Sequence, residues 1–563
     1  MIRRTNQWPA PGGYGAREPG RARPIAIVGA VMAVVIIAVF LVFRACGGSS
    51  CSDAYCATSR GLPPPDGHER LTSVFERNPD RTLVPGQAVD ITLPLRERTD
   101  DRRNLMLYAY REATQTWEPI APALLDDAGT AVTATLDGNT RPDLLAVLRR
   151  VSAAGHVVAY VNHNQRLHPS AAERVTIVHT RDFRPDAAGG VIGDLSDPAT
   201  VGIPPGRTVA HYPVISASAS EQGMIPILSG ILASAAARSN HVQQIVSLVT
   251  ARNLAGIDIA YFDLPATERT SFALFIAELG AAMKAQGKVL SVTLPAPIRT
   301  GERIDEGAYD WAEIGRSADI VKLWPYRDQG TFRRDMPAIL QHLVQAVQPA
   351  SKLVFTVTPY ATEKSPEGIR TLTLTQAMGI ATVLSVSSGA DGRVTTGSSV
   401  SIVGTNIDQQ AGRSGIAWQP ATATVAFTYE LNGGRTVWIE NVFSVAFKLE
   451  YVARYGLGGV AVEDASADPL IGDIWPALVP FIATGQPVLM RPNPADLVPS
   501  WEVSAGTREG GLNGRITWGT PTQPGVYTVK LRLSDGVAYF ENEVSIDVQA
   551  RDRPAASPTP GGR

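Results

Sequence analysis

Four acidic residues stand where runs of apolar residues give way to loops: Asp258 and Asp263 in "AGIDIAYFDLP", and Glu463 and Asp464 in "GGVAVEDAS". Carboxylates at such strand ends can divide acid and base work or hold a cation. Glu463 and Asp464 can equally face solvent or pair with Arg327 or Lys322. For Asp263, a one-residue bulge would swing the side chain inward, whereas plain strand alternation turns it towards a helix layer or a turn cap. Aromatic residues cluster at similar places: Trp324 and Tyr326 in "KLWPYRDQ", and Tyr160, Tyr212 and Tyr360 near other strand ends. Such rings can stack on or hydrogen-bond a ligand, or fill a core. His179 reads as a hydrogen-bonded core histidine, and Trp438, Glu440 and Asn441 read as structural.

Between 151 and 487 apolar strands alternate with helical periodicity. Eight strand candidates stand out: "HVVAYV", "RVTIVH", "TVAHYPVIS", "GIDIAYF", "VLSVTL", "DIVKLW", "KLVFTV" and "GLGGVAVE". After the fourth, Phe272, Phe275, Ile276, Leu279 and Met283 recur at helical spacing and Gly287 supplies a stop. This pattern predicts a (β/α)₈ TIM barrel, with any site at the C-terminal strand ends. A doubly wound sheet would call for a phosphate-cradling glycine loop, and none stands out. Residues 386–436, rich in Ser, Gly and Thr, read as a β insertion on the barrel rim.

The 563 residues require several domains. A net charge of -2 disfavours a nucleic-acid partner. No cofactor or metal site is expected. Residues 24–43 form an uncharged apolar run long enough, at about 1.5 Å per residue, to span a bilayer. The tail at 1–23 carries five arginines, Arg3, Arg4, Arg17, Arg21 and Arg23, against Glu18. That bias predicts a single-pass cell-membrane anchor with a cytoplasmic N-terminus and an extracytoplasmic body. All three cysteines, Cys46, Cys51 and Cys56, follow the anchor within a Cys/Gly/Pro-containing linker at 44–70. They are disulfide candidates, and their odd number permits a disulfide-linked dimer. Residues 71–150 read as a small β-sandwich. Residues 488–550 resemble a bacterial immunoglobulin-like domain, and 551–563 read as a disordered tail.

The order and spacing of "LAGIDIAYFDLP", "FALFIAELGAAMKAQGKVLSVTLPAP", "YDWAEIGRSADIVKLWPY", "KLVFTVTPY" and "VWIENVFSVAFKLEYVARYGLGGVAVE" resemble glycoside hydrolase family 18. The likeness is strongest to its bacterial cell-wall-acting branch, of the spore N-acetylglucosaminidase type. In that family the fourth strand reads D-G-x-D-x-D-x-E. Its Glu protonates the leaving oxygen, and the Asp two residues earlier orients the substrate acetamide, which acts as nucleophile. On this chain the motif becomes Ala255, Gly256, Ile257, Asp258, Ile259, Ala260, Tyr261, Phe262. Only Asp258 of the three acids at the motif's end remains, and beside the uncharged Ala260 it reads first as a buried carboxylate that holds neighbouring strands. The family's sugar-stacking tryptophan at the last strand is replaced by Glu463, and Arg327 stands where an Asp is usual. The resemblance therefore implies a non-catalytic binder of N-acetylglucosamine-containing glycan, with Asp258, Tyr261, Trp324, Tyr326, Tyr160 and Tyr360 as ligand-binding candidates. A hydrolase with relocated carboxylates, drawn from Asp263, Glu463 and Asp464, and a surface interaction module are the alternatives.

Overall fold

In the computed structural model, residues 51–552 are described except 53, 66–67, 82–88, 100–104, 137–140, 151–154, 205–206 and 388–391. The expected tail at 1–23, anchor at 24–43, Cys46 and residues 553–563 lie outside the described residues. Among the described residues, no helix is long and apolar enough to cross a membrane. The chain divides after residue 150 into two compact units.

The first unit is an antiparallel sheet that curls around one apolar cluster, including Tyr55, Phe75, Leu107, Leu145 and Val147. Its long strand Thr116–Leu125 pairs first with Leu105–Arg111 and then with Ala131–Leu136, which lets the sheet turn on itself. The expected linker at 44–70 needs correction. Cys51–Ser52, Tyr55–Thr58 and His68–Arg70 are strands of this sheet. Tyr55 explains why: its ring is fully buried and its hydroxyl donates to the Pro142 carbonyl at 3.0 Å. Cys56 is disulfide-bonded, and the hairpin register sets Cys51 opposite it.

The second unit contains a closed ring of eight parallel strands. These are β1 (His156–Asn162), β2 (Ile177–Pro185), β3 (Val214–Ala217), β4 (Gly256–Tyr261), β5 (Val289–Leu294), β6 (Ile320–Leu323), β7 (Leu353–Val357) and β8 (Gly459–Val462). β8 lies between β7 and β1, and β1–β2 pairing closes the ring. All eight strands expected from the sequence are in it. Alternation sorts their side chains. Ile257 and Ile259 of β4 face the helices, while Ala260 joins Val158, Ile177, Ile320, Val354 and Ala461 inside. The helix Arg269–Ala285 buries Phe272, Phe275, Ile276, Leu279 and Met283, and Gly287 ends it at φ 63°. At the start of β8, Gly458 and Gly459 are squeezed between neighbouring strands. A Cβ on Gly458 would stand 1.8 Å from the Ser351 carbonyl oxygen, and one on Gly459 2.0 Å from that of His156.

The insertion follows β7 and is longer than 386–436. It runs from Ala361 to Ile439, and its central five-stranded sheet has the order Gly368–Leu372, Ala361–Ser365, Gly434–Ile439, Thr424–Glu430, Ala417–Gln419. The strands after residue 490 do not make a self-contained immunoglobulin-like unit. Ser399–Gly404 from the insertion pairs with Arg515–Gly519 over five residues, and Val394–Thr395 pairs with Tyr539–Gln549. Two four-stranded sheets result, each drawn from both chain segments. The cause is apolar: Val400 and Ile402 share one cluster with Trp501, Trp518, Val529, Leu531 and Val548.

Candidate functional site at the barrel mouth

β4 supplies the centre. Its interior positions are 258, 260 and 262, one above another towards the C-terminal end of the barrel. Asp258 is fully buried, Ala260 is buried, and the Phe262 ring packs on Trp324 with centroids 5.6 Å apart. No carboxyl group therefore occupies the top of this column.

Asp258 is held by a closed polar network. Lys322 Nζ, from β6, donates to its Oδ1 at 2.7 Å and also to Ser291 Oγ. The hydroxyls of Thr293 and Tyr160 donate to its Oδ2 at 2.8 and 3.1 Å. Burial alone would push the Asp258 carboxyl up. The Lys322 ammonium, His179 and the Thr293 hydroxyl overcome this and hold it below the usual carboxylate range. Ser291 and Thr293 were not singled out from the sequence. The signal was available, because both stand at alternate positions of β5 facing inward, and a lysine inside the apolar run "IVKL" demands a partner.

His179 sits beside this network, its ring 4.7 Å from that of Tyr160. Its Nδ1–H donates to the Tyr212 carbonyl at 2.7 Å, while the buried Nε2 has no partner among the described residues. Burial first, and then the Lys322 charge, pull its pKa down to about 3. The folded protein thus refuses a proton that the unfolded chain accepts below about pH 6.5. Stability from this group is full above that pH and declines as pH falls towards 3, by an amount on the order of several kcal/mol. Glu450, whose carboxyl burial pushes up to about 7, contributes the opposite slope between its ordinary value and 7. The comparison that isolates His179 is urea unfolding of wild type and His179→Gln from pH 7 to 4. The variant should lose stability less steeply, and parallel curves would refute the assignment.

The remaining candidates separate. Tyr261 points away from the mouth, which corrects its place among ligand-binding residues. It is fully buried in the helix layer, stacked 5.9 Å from Phe275, and its hydroxyl donates to His241 Nε2 at 2.7 Å. Asp263 is exposed at φ 59°, and its Oδ2 accepts the Ala219 N–H at 3.0 Å, tying the loop after β3 to the end of β4. Glu463 is gripped at both oxygens by Arg327, at 3.0 and 2.5 Å. Asp464 accepts from the Tyr360 hydroxyl at 2.5 Å and the Ser466 N–H at 2.9 Å. The Tyr326 hydroxyl is engaged by Thr331 and Asp335. Tyr160 is buried under Trp324, which meets its ring edge-on at 5.2 Å, so Tyr160 braces the floor and does not line an exposed wall. Trp324, Phe262 and Tyr360 are half-buried at the rim. Among the described residues no cluster of His, Cys, Asp and Glu could hold a metal ion.

Residues 223–468 match the family model "Glycosyl hydrolases family 18". A curated relative, a putative sporulation-specific glycosylase YdhD of Bacillus subtilis, is 27% identical over 139 residues. That alignment covers 24% of this chain and 33% of the relative, so the chain spans about a third of the relative's length. Among solved structures, a chitinase from Chromobacterium violaceum is 21% identical with a TM-score of 0.45, covering 59% of this chain and all of that one. The spore cortex-lytic enzyme SleL of Bacillus megaterium is 15% identical with a TM-score of 0.43, covering 59% of this chain and 76% of that one. With the family match spanning β4 to β8 and the ring of eight parallel strands in place, the chain carries a glycosyl hydrolase family 18-like barrel.

Proposed function

We propose that this is a membrane-anchored, extracytoplasmic barrel protein that holds N-acetylglucosamine-containing glycan without cleaving it. One observation carries the reading: the inward column of β4 is Asp258, Ala260, Phe262, with its one acid committed to Lys322. A phenyl ring has no proton to hand to a departing sugar oxygen, and loss of a general acid alone removes about 10²- to 10⁴-fold in rate. Asp263, Glu463 and Asp464, the acids from which a relocated pair would be drawn, are each tied to protein partners. Half-buried Trp324 and Phe262 offer apolar faces of the kind that sugars stack on.

The anchor rests on residues 24–43 and their arginine-rich flank. Retention in the membrane pellet after alkaline carbonate, abolished by removing residues 1–43, is the outcome expected. A disulfide-linked dimer, permitted by the odd number of cysteines, belongs to the same reading and would appear on non-reducing electrophoresis. For the site, calorimetric titration with chitin oligomers and peptidoglycan fragments should give heat, while a fluorogenic glycoside panel stays dark. Turnover that Glu463→Gln abolishes would retire the non-catalytic reading in favour of a relocated acid.

A further inference from the structure

Lys322 on β6, Arg327 in the loop after it and Arg181 on β2 differ in what they bond. Lys322 is paired with Asp258, and Arg327 with Glu463. Arg181, the inward residue above His179 on β2, bonds only neutral oxygens among the described residues. Its Nη1 donates to Asn162 Oδ1 and its Nη2 to the Glu463 carbonyl, both at 2.9 Å. A guanidinium has five N–H donors, so three remain after these two bonds. Its charge lies over aromatic faces, with Cζ 5.7 Å from the ring centroids of both Tyr160 and Trp324. The β2–β3 register shifts between Arg181 and Phe183, an irregularity of the kind that re-aims side chains beside binding sites. Arg181 is half-buried, and the carboxylates of the buried acids Glu463 and Asp464 are already engaged by Arg327, Tyr360 and Ser466.

We propose that the barrel mouth selects a sugar bearing a carboxylate, bound by Arg181, with Trp324 and Phe262 as the apolar floor beside it. The inference rests on the glycan-holding reading and adds the class of sugar to it. A planar guanidinium fixed by two neutral bonds and two rings keeps one donor on each of its three nitrogens, and a guanidinium fork suits a carboxylate's two oxygens. A neutral acetamide offers one acceptor oxygen and no charge, and uses that fork poorly.

The carboxylate could belong to a lactyl ether or to a uronic acid. The test therefore uses two disaccharides, N-acetylglucosamine linked to N-acetylmuramic acid and N-acetylglucosamine linked to glucuronic acid, each beside its neutral methyl ester. Titrated into the full chain, one acid form should bind at least about tenfold more tightly than its ester, and which one does so names the source of the carboxylate. Arg181→Met should abolish that preference and Arg181→Lys should keep part of it, with the thermal midpoint recorded for both. Wild-type discrimination between acid and ester needs no variant, so the test stands even if a variant fails to fold. Equal binding of acids and esters, or a preference that survives in Arg181→Met, overturns the proposal while leaving glycan holding intact. Absence of binding by all four compounds and by chitin oligomers overturns both.

Discussion

A chain ending at residue 487 is expected to lose the folded insertion, and with it most soluble protein. The C-terminal strands supply two of the four strands in the sheet that Ser399–Gly404 enters and three of the four in the sheet that Val394–Thr395 enters. Without them Val400, Ile402, Leu374 and Met378 would face water, because Trp518, Val529, Leu531 and Val548 cover the same cluster. At about 1.5–3 kcal/mol for each large apolar side chain, the loss is comparable to a typical domain stability of about 5–15 kcal/mol. Polar ties would go as well: Asn441 Nδ2 donates to the Asp535 carbonyl, and Asn542 Nδ2 to that of Thr382, both at 3.0 Å. A milder version is Trp518→Ala, which removes a fully buried indole and should cost about 3–5 kcal/mol. Denaturant melts of the point variant and the soluble yield of the truncated chain measure the effect. A truncated protein with the full chain's melting curve would show the C-terminal strands to be an independent appendage.

Replacing Lys322 with Met should destabilise the barrel by about 3–5 kcal/mol, because it strands the Asp258 carboxylate where no water reaches. The double variant Asp258→Asn with Lys322→Met should recover most of that loss, since a buried pair replaced by neutral groups of similar shape is often nearly neutral. The pair also fixes a pH dependence. With the Asp258 carboxyl held low in the folded protein, its contribution is present above the unfolded value of about 3.9 and disappears as pH falls through the folded one. Urea unfolding at pH 7 measures the three proteins. A double variant no better than Lys322→Met alone would mean that the cost comes from packing and not from the uncompensated charge.

Much of the barrel was legible in the sequence because its signals are local. Each strand is a short apolar run, and a period of two assigns every second residue to the interior without knowledge of any neighbour. That alone placed Phe262 over Ala260 and Asp258. The same rule puts Tyr261 on the outer face, where His241 and Phe275 receive it, and not among the ligand contacts. The first unit's earliest strands are not legible in the sequence, because Cys51–Ser52 and His68–Arg70 are too short to show periodicity. Their pairing with later strands defines them.

By itself, the sequence determined the strand series, the side of β4 on which each residue lies, and the absence of an acid from the family's proton-donor position. Only the tertiary structure decided how charges and sheets were shared. Asp258 meets Lys322 across 64 residues, Glu463 meets Arg327 across 136, and an insertion strand at 399–404 meets one at 515–519. Such partners are chosen by chain closure, which brings distant segments into one dry space where a charge must find its opposite and an apolar face its cover. No period or spacing along the chain encodes that choice.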